Sequence, residues 1–342
     1  MMYKPSVRFL ALAFLVSTLW SCQAQTPLAP KINGVSFVAS PQEFSPEQLQ
    51  KPQQKVAANA VSIMPYGYVS DQSKVVQFNS KWQWWGERIA GSKHSIQMAK
   101  DAGYQVMVKP QIWIRHGAFT GHHAYDNDAD WQKFETSYRD FILTFAAIAD
   151  SMQADLFCIG TEWEYFVEAR PAFWTSLIKA VKEIYKGPLT YAANWDEYQK
   201  TPFWNELDYI GVDAYFPLIE DKTPSSAAVS TALLPYKTHL KELTERFQKK
   251  ILFTEYGYRS RDKTAYEPWD ADRSGEVNIK AQVNSYKGFY QTFWQEEFIA
   301  GGFIWKWFHN YKAAGGTEHN GFTPQNKAVE SVIFSTYSKS NL

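Results

Sequence analysis

The chain has 342 residues, of which 35 are basic, 35 acidic and 17 % aromatic. Such a charge balance gives no field to steer the protein towards nucleic acid or an anionic surface. Two cysteines, Cys22 and Cys158, are too few for a disulfide framework or a cysteine-built metal site.

In chain order, Lys4 and Arg8 precede an apolar run from Phe9 to Trp20. That run has the length of a signal-peptide core and is too short to span a bilayer comfortably. Leu19 stands three positions before Cys22, an arrangement that resembles a bacterial lipobox. Residues 1–21 are therefore expected to be a lipoprotein signal peptide, with Cys22 the lipidation site and residues 22–30 a tether. An ordinary cleaved signal peptide is the alternative. The expected location is export, with the lipid held in a bacterial membrane at the outer membrane or cell surface. Cys158 lies in an apolar run and is expected to be a small core residue.

From residue 31 onward, short apolar runs alternate with longer amphipathic segments. Eight runs are predicted strands: Ile32–Ala39, Ala57–Pro65, Tyr104–Ile114, Ala154–Trp163, Pro188–Trp195, Leu207–Phe216, Lys250–Tyr258 and Ile299–Phe308. They are almost continuously apolar, as parallel strands buried on both faces are. They recur about every 38 residues, room for a strand, a helix and their loops. Between them, Trp131, Phe134, Tyr138, Phe141, Phe145 and Ile148 recur at helical spacing, predicting a helix over Trp131–Asp150 with Asp128 or Asp130 as N-cap. Pro171–Tyr185, Leu233–Gln248 and Asn278–Gln295 are the other clear helices. No Gly-rich phosphate fingerprint follows the first strand, which argues against a dinucleotide fold. Eight βα units predict an α/β fold, a closed (β/α)8 barrel occupying residues 31–342 as a single domain. The long polar connection Arg259–Gly275 is expected to be either a wall of the barrel mouth or a solvated excursion.

Barrel enzymes carry their sites at the C-terminal ends of the strands. Two of those ends place a glutamate directly after an apolar run: Thr161-Glu162-Trp163 on the fourth strand and Thr254-Glu255-Tyr256 on the seventh. A carboxylate there is either an ion-pair partner or a working group. Two of them, on strands that face each other across the mouth, favour work. Carboxyl pairs about 5–5.5 Å apart hydrolyse glycosidic bonds with retention of configuration. One stays protonated for the leaving oxygen and the other stays ionised to attack the anomeric carbon. Trp163 is expected to raise the pKa of Glu162, and Tyr215 or Tyr256 to hydrogen-bond Glu255.

Other strand ends supply Lys109, Gln111, Trp113, Arg115 and His116, then Asn194 and Trp195, then Asp213 and Tyr215, and finally Trp305, Lys306 and Trp307. Alternation lets only about half of each group face inward. The expected substrate-binding set is Lys109, Gln111, Trp113, Thr161, Asn194, Trp195, Asp213, Tyr215, Tyr256 and Trp305, with Asp213 either binding sugar or positioning Lys109. His116, His122 and His123 lack a carboxylate at ligand spacing, so no metal site is expected. Glu164, Glu168 and Glu197 are expected to serve helix dipoles or solvent. No cofactor is needed for such chemistry.

The segments IGTEWE (159–164), DYIGVDAYFPL (208–218), ILFTEYGYRS (251–260) and GGFIWKWF (301–308) resemble glycoside hydrolase family 113, within the clan of retaining (β/α)8-barrel glycosidases. The likeness runs from Gly34 to about Pro324. It implies β-mannanase activity, with Glu162 as acid/base, Glu255 as nucleophile and Trp305 as sugar platform. One position departs from the clan, which usually has Asn before the acid/base to bind the sugar 2-hydroxyl. Thr161 stands there, leaving that bond to Thr161 or Asn194. The expected function is a retaining endo-β-glycosidase acting on β-1,4-mannan-type polysaccharide. Its expected partners are polysaccharide or oligosaccharide substrate and, through the N-terminal lipid only, a membrane. The alternatives are an exo-acting or different-substrate β-glycosidase of the same fold and a non-catalytic glycan-binding lipoprotein.

Overall fold

The structure, a computed structural model, describes residues 1–2, 30–70, 72–270 and 274–341. Most of the expected signal peptide, Cys22 and nearly all of the tether lie outside the described residues. Among the described residues no helix is long and apolar enough to cross a membrane.

The strands are β1 (Ile32–Phe37), β2 (Ala60–Ile63), β3 (Tyr66–Val69), β4 (Val76–Phe78), β5 (Gln105–Val108), β6 (Gln111–Ile114), β7 (Leu156–Thr161), β8 (Leu189–Asn194), β9 (Tyr209–Asp213), β10 (Lys250–Tyr256) and β11 (Ile299–Trp307). Eight of them close a parallel barrel in the order β1-β11-β10-β9-β8-β7-β5-β2. Gly34 completes it, opposite Phe303 of β11 on one side and Ala60 of β2 on the other. The fold is thus the expected (β/α)8 barrel. Its helices are α1 (Pro46–Val56), α2 (Ile89–Asp101), α3 (Asp128–Ser151), α4 (Glu164–Ala169), α5 (Pro171–Ile184), α6 (Ser226–Phe247), α7 (Ile279–Phe293) and α8 (Val329–Ser340).

Three departures from the sequence expectation matter for the site. The predicted third strand, Tyr104–Ile114, breaks at Pro110, which has no N–H for the ladder. Only Gln105–Val108 stays in the barrel; Gln111–Ile114 joins β3 and β4 in a separate three-stranded sheet at the rim. Secondly, β8 is followed by a single turn, Trp204–Glu206, where a full helix was expected. Thirdly, the N-cap of α3 is neither Asp128 nor Asp130 but Asn127, whose side chain accepts the Asp130 N–H at 2.9 Å. Asp128 and Asp130 instead occupy the first turn, where negative charge suits the helix dipole.

Two apolar layers hold the fold. Ala60, Met107, Leu156, Cys158, Ala192, Leu252 and Phe303 fill the barrel interior, and Cys158 is the core residue expected. Outside it, strand residues such as Phe157 and Ile159 meet helix residues such as Phe134, Tyr138 and Trp174 in one continuous core. Burying each such side chain contributes roughly 1.5–3 kcal/mol. Gly160 belongs to this outer layer: a Cβ there would sit 2.8 Å from both Trp174 and the Tyr138 hydroxyl.

Candidate active site

Regular alternation along β7 sends Leu156 and Cys158 inward and would send Thr161 outward. The pairing with β8 shifts register between Cys158 and Thr161. A bulge of this kind re-aims the residues beyond it, and Thr161 and Glu162 both line the barrel mouth. The same happens on β10, where register against β9 shifts between Phe253 and Glu255. Thr254 then reaches Asp213 inside the barrel, at 2.7 Å, and Glu255 turns into the mouth. Tyr256 is thrown out into the helix layer, stacked on Phe289 at 4.8 Å and bonded to the hydroxyls of Tyr290 and Tyr337. The expectation that Tyr256 binds substrate or Glu255 is thereby corrected.

Glu162 and Glu255 line one cleft of about 650 Å³, a volume suited to a small ligand or a few sugar units. Glu255 is 6 % exposed. Its Oε2 accepts from the Tyr215 hydroxyl at 2.8 Å, and its Oε1 from Gln111 Nε2 at 3.0 Å and from Lys109 Nζ. The Tyr66 hydroxyl fixes Gln111 in turn, donating to its Oε1 at 2.8 Å. Beneath them Lys109 also reaches Asp213, at 3.5 Å. Both Lys109 and Asp213 are fully buried and lie below the cleft surface. Their expected contact with substrate is corrected accordingly: they are the ion pair under Glu255, and of the two roles expected of Asp213 it is the contact with Lys109 that is found. Burial works to lower the Lys109 pKa, but the charges of Asp213 and Glu255 outweigh it and raise the value. Burial and the Glu255 charge push Asp213 up to about 7.

Glu162 differs. Its carboxyl makes no hydrogen bond among the described residues, and its backbone is left-handed, φ +53°. Outside glycine that conformation costs roughly 1–3 kcal/mol and persists only where the surroundings impose it. Burial, then the charges of Asp213 and Glu255, raise its pKa well above the ordinary carboxylate range. Trp163 faces away, packed against Phe134, Tyr138 and Phe166, so its expected part in that shift falls to Asp213 and Glu255. Glu197 also departs from expectation. Rather than facing solvent it is 1 % exposed and accepts from the Tyr191 hydroxyl and the Asn194 N–H.

Around the two glutamates the cleft is lined by Gln111, Trp113, Thr161, Asn194, Trp195, Tyr215 and Trp305 from the expected set. The Thr161 hydroxyl has no hydrogen-bond partner among the described residues. Arg259 and Trp269, from the connection after β10, also line it, so the described part of that connection, residues 259–270, contributes to a wall. Trp269 stacks on Trp195 at 4.9 Å and 17°. Tyr66, Phe119, His122, Asp196 and Phe322 were not among the expected substrate binders. Tyr66 directly follows the predicted second strand, where a strand-end search extended by one residue finds it. Phe119 and Phe322 sit on loops whose path no periodicity reveals.

The profile of glycoside hydrolase family 113 matches residues 40–327. The chain belongs to glycoside hydrolase family 113. Its fold is shared with a family 113 β-1,4-mannanase at TM-score 0.78 and 22 % identity, covering 91 % of this chain and 99 % of that one. A family 113 β-mannanase from Alicyclobacillus acidocaldarius gives TM-score 0.78 and 21 % identity over 91 % and 98 % of the two chains. More distantly, a Faecalibacterium prausnitzii β-glucuronidase gives TM-score 0.61 and 14 % identity, over 91 % of this chain and 49 % of the other. No curated protein matches. As a glycoside hydrolase, the family 113 chain has a polysaccharide or oligosaccharide as its substrate.

Proposed function

We propose that the protein is a retaining endo-β-mannanase that cleaves β-1,4-mannan-type polysaccharide by double displacement. The observation that carries this reading is the asymmetry of the two cleft glutamates. Glu255 accepts three hydrogen bonds, one from a lysine, as an acceptor-only carboxylate does. Among the described residues Glu162 accepts none, and its pKa is raised by burial and by neighbouring negative charge. Environments that push two carboxyl groups apart in this way assign base and acid.

In the first step Glu255 attacks the anomeric carbon while Glu162 gives its proton to the departing glycosidic oxygen, leaving a glycosyl ester on Glu255. In the second, Glu162 takes a proton from water, whose oxygen attacks the same carbon and releases Glu255. Trp305 and the Trp195–Trp269 pair offer flat apolar faces for pyranose rings. The Thr161 hydroxyl, which has no hydrogen-bond partner among the described residues, and Asn194 can bond sugar hydroxyls. Mannan as substrate rests on family membership and on the mannanase relatives.

Incubation with β-mannan, cellulose and xylan, followed by product sizing, tests the substrate and the endo mode. Mannan fragments of several lengths support the proposal. Release of the smallest product alone makes the enzyme exo-acting, and no product from any glycan leaves a binding protein. Proton NMR of the first-formed anomer tests retention. We also propose attachment to the outer membrane or cell surface through a lipid on Cys22, from the pattern Leu19–Cys22. Palmitate labelling that persists in Cys22→Ser overturns it.

A further inference from the structure

Two buried side chains behind the acid are unused by the proposed reaction. The peptide N–H groups on either side of the Glu162 α-carbon are both held by the neighbouring strand. Glu162 N–H donates to the Ala192 carbonyl at 2.8 Å, and Trp163 N–H donates to the Tyr191 hydroxyl at 2.7 Å. Tyr191 in turn donates to Glu197 Oε1 at 2.5 Å, and Glu197 Oε2 accepts the Asn194 N–H at 3.0 Å. One carboxyl group thus ties the end of β7 to the end of β8.

We propose that Tyr191 and Glu197 are positioning residues for proton transfer, a clamp that holds Glu162 left-handed and aims its carboxyl at the glycosidic oxygen. The inference rests on Glu162 being the general acid.

Neither residue is placed to touch substrate: Tyr191 is fully buried and Glu197 is 1 % exposed. The conformation they support does not hold itself, because a left-handed glutamate relaxes unless its flanking peptides are fixed. The only side-chain atom that fixes the Glu162–Trp163 peptide, among the described residues, is the Tyr191 oxygen. A buried N–H left without that partner costs about 1–3 kcal/mol, comparable with the strain it restrains. Glu197 orients the tyrosine, as a buried carboxyl orients the working group of many enzyme sites. Burial pushes Glu197 up to about 8, against the opposing hydrogen bonds of Tyr191 and Asn194 and with the charges of Glu164 and Asp213 adding to the rise. The contact that orients Tyr191 is its own hydroxyl donating to Glu197 Oε1, and a glutamine amide oxygen can accept that same bond.

General acid catalysis contributes about 10²–10⁴-fold, and only where the leaving group needs the proton. The test is kcat/KM of the full chain on two substrates, β-1,4-mannohexaose and 2,4-dinitrophenyl β-mannobioside, whose phenolate leaves unprotonated. Tyr191→Phe is expected to lose roughly 10- to 100-fold on the hexaose and about threefold or less on the dinitrophenyl substrate. Glu197→Met should show the same split, and Glu197→Gln should restore activity on both substrates. A parallel fall on both substrates in a folded variant overturns the proposal, and so does no fall on either. If Tyr191→Phe does not fold, the Glu197→Met and Glu197→Gln pair decides by the same criteria. Wild-type cleavage of another β-glycoside but not of mannosides overturns the mannan assignment alone, and the split is then read on that sugar. A chain that cleaves no β-glycoside overturns both.

Discussion

The ends of β7 and β10 look alike in sequence, each an apolar run followed by Thr-Glu-aromatic, yet they are built oppositely. At β10 the side chain is held: Lys109, Gln111 and Tyr215 converge on the Glu255 carboxylate, and Asp213 balances Lys109 beneath. At β7 the backbone is held: both peptides around Glu162 are bonded to β8, while among the described residues its carboxyl makes no hydrogen bond. A group that must stay charged and attack one carbon is best fixed by its donors. A group that must carry a proton, release it and take another works better with an unengaged carboxyl on a fixed stem. The contrast carries the proposed assignment of nucleophile to Glu255 and acid to Glu162 without reference to any relative.

The largest expected effect separates the two ends outright. Glu255→Ala should abolish turnover of mannohexaose and of dinitrophenyl mannobioside alike, since no ester forms without it. Glu162→Ala should lose about 10²–10⁴-fold on the hexaose, while formation of the glycosyl ester from the dinitrophenyl substrate continues and azide accelerates its release. Azide rescue of Glu255→Ala with retained configuration, or of neither variant, would reverse or erase the assignment.

Next in size is a stability effect confined to the β10 end. Lys109→Met leaves Asp213 and Glu255 buried beside each other without their cation. Removing one partner of a buried ion pair costs about 3–5 kcal/mol, read as a lowered denaturant midpoint. A loss below about 1 kcal/mol would mean that the two carboxyl groups share a proton and need no lysine. Smaller again is Tyr215→Phe, which removes one of three bonds to Glu255. Its loss is worth about 1.5–3 kcal/mol for a charged acceptor, so kcat/KM should fall roughly 10- to 100-fold on both substrates. A fall restricted to the hexaose would move Tyr215 from the nucleophile to the leaving-group side.

Much of this contrast was legible in the sequence, and the rest was hidden for identifiable reasons. Long apolar runs at even spacing gave the barrel, and a glutamate after such a run gave each catalytic candidate. Side-chain direction was not legible beyond the bulges: β7 and β10 each shift register just before the site, which turned Tyr256 outward against a period of two. Pro110 was visible but its consequence, a strand leaving the barrel to carry Gln111 and Trp113 on a rim sheet, depends on what β3 offers for pairing. Glu197 resembled a solvent-facing residue because a sequence does not show that the Tyr191 hydroxyl waits six residues back to receive it.

The smallest expected effect is a displaced pH limb, and it probes the one property the two ends share. The acid must be protonated to work, so kcat/KM on mannohexaose falls as pH rises through the pKa of Glu162. That value lies above the ordinary carboxylate 4.5 because of burial, Asp213 and Glu255, with Lys109 opposing and Glu197 adding. Asp213→Asn keeps a side chain that can accept from Thr254 but removes a negative charge from the site, so the Glu162 pKa drops and the alkaline limb moves to lower pH. The dinitrophenyl substrate, which needs no proton in the first step, should lack that limb in both proteins. Were the limb present there too, the titrating group would be acting on the β10 end, and the division between a held side chain and a held backbone would not be a division between nucleophile and acid.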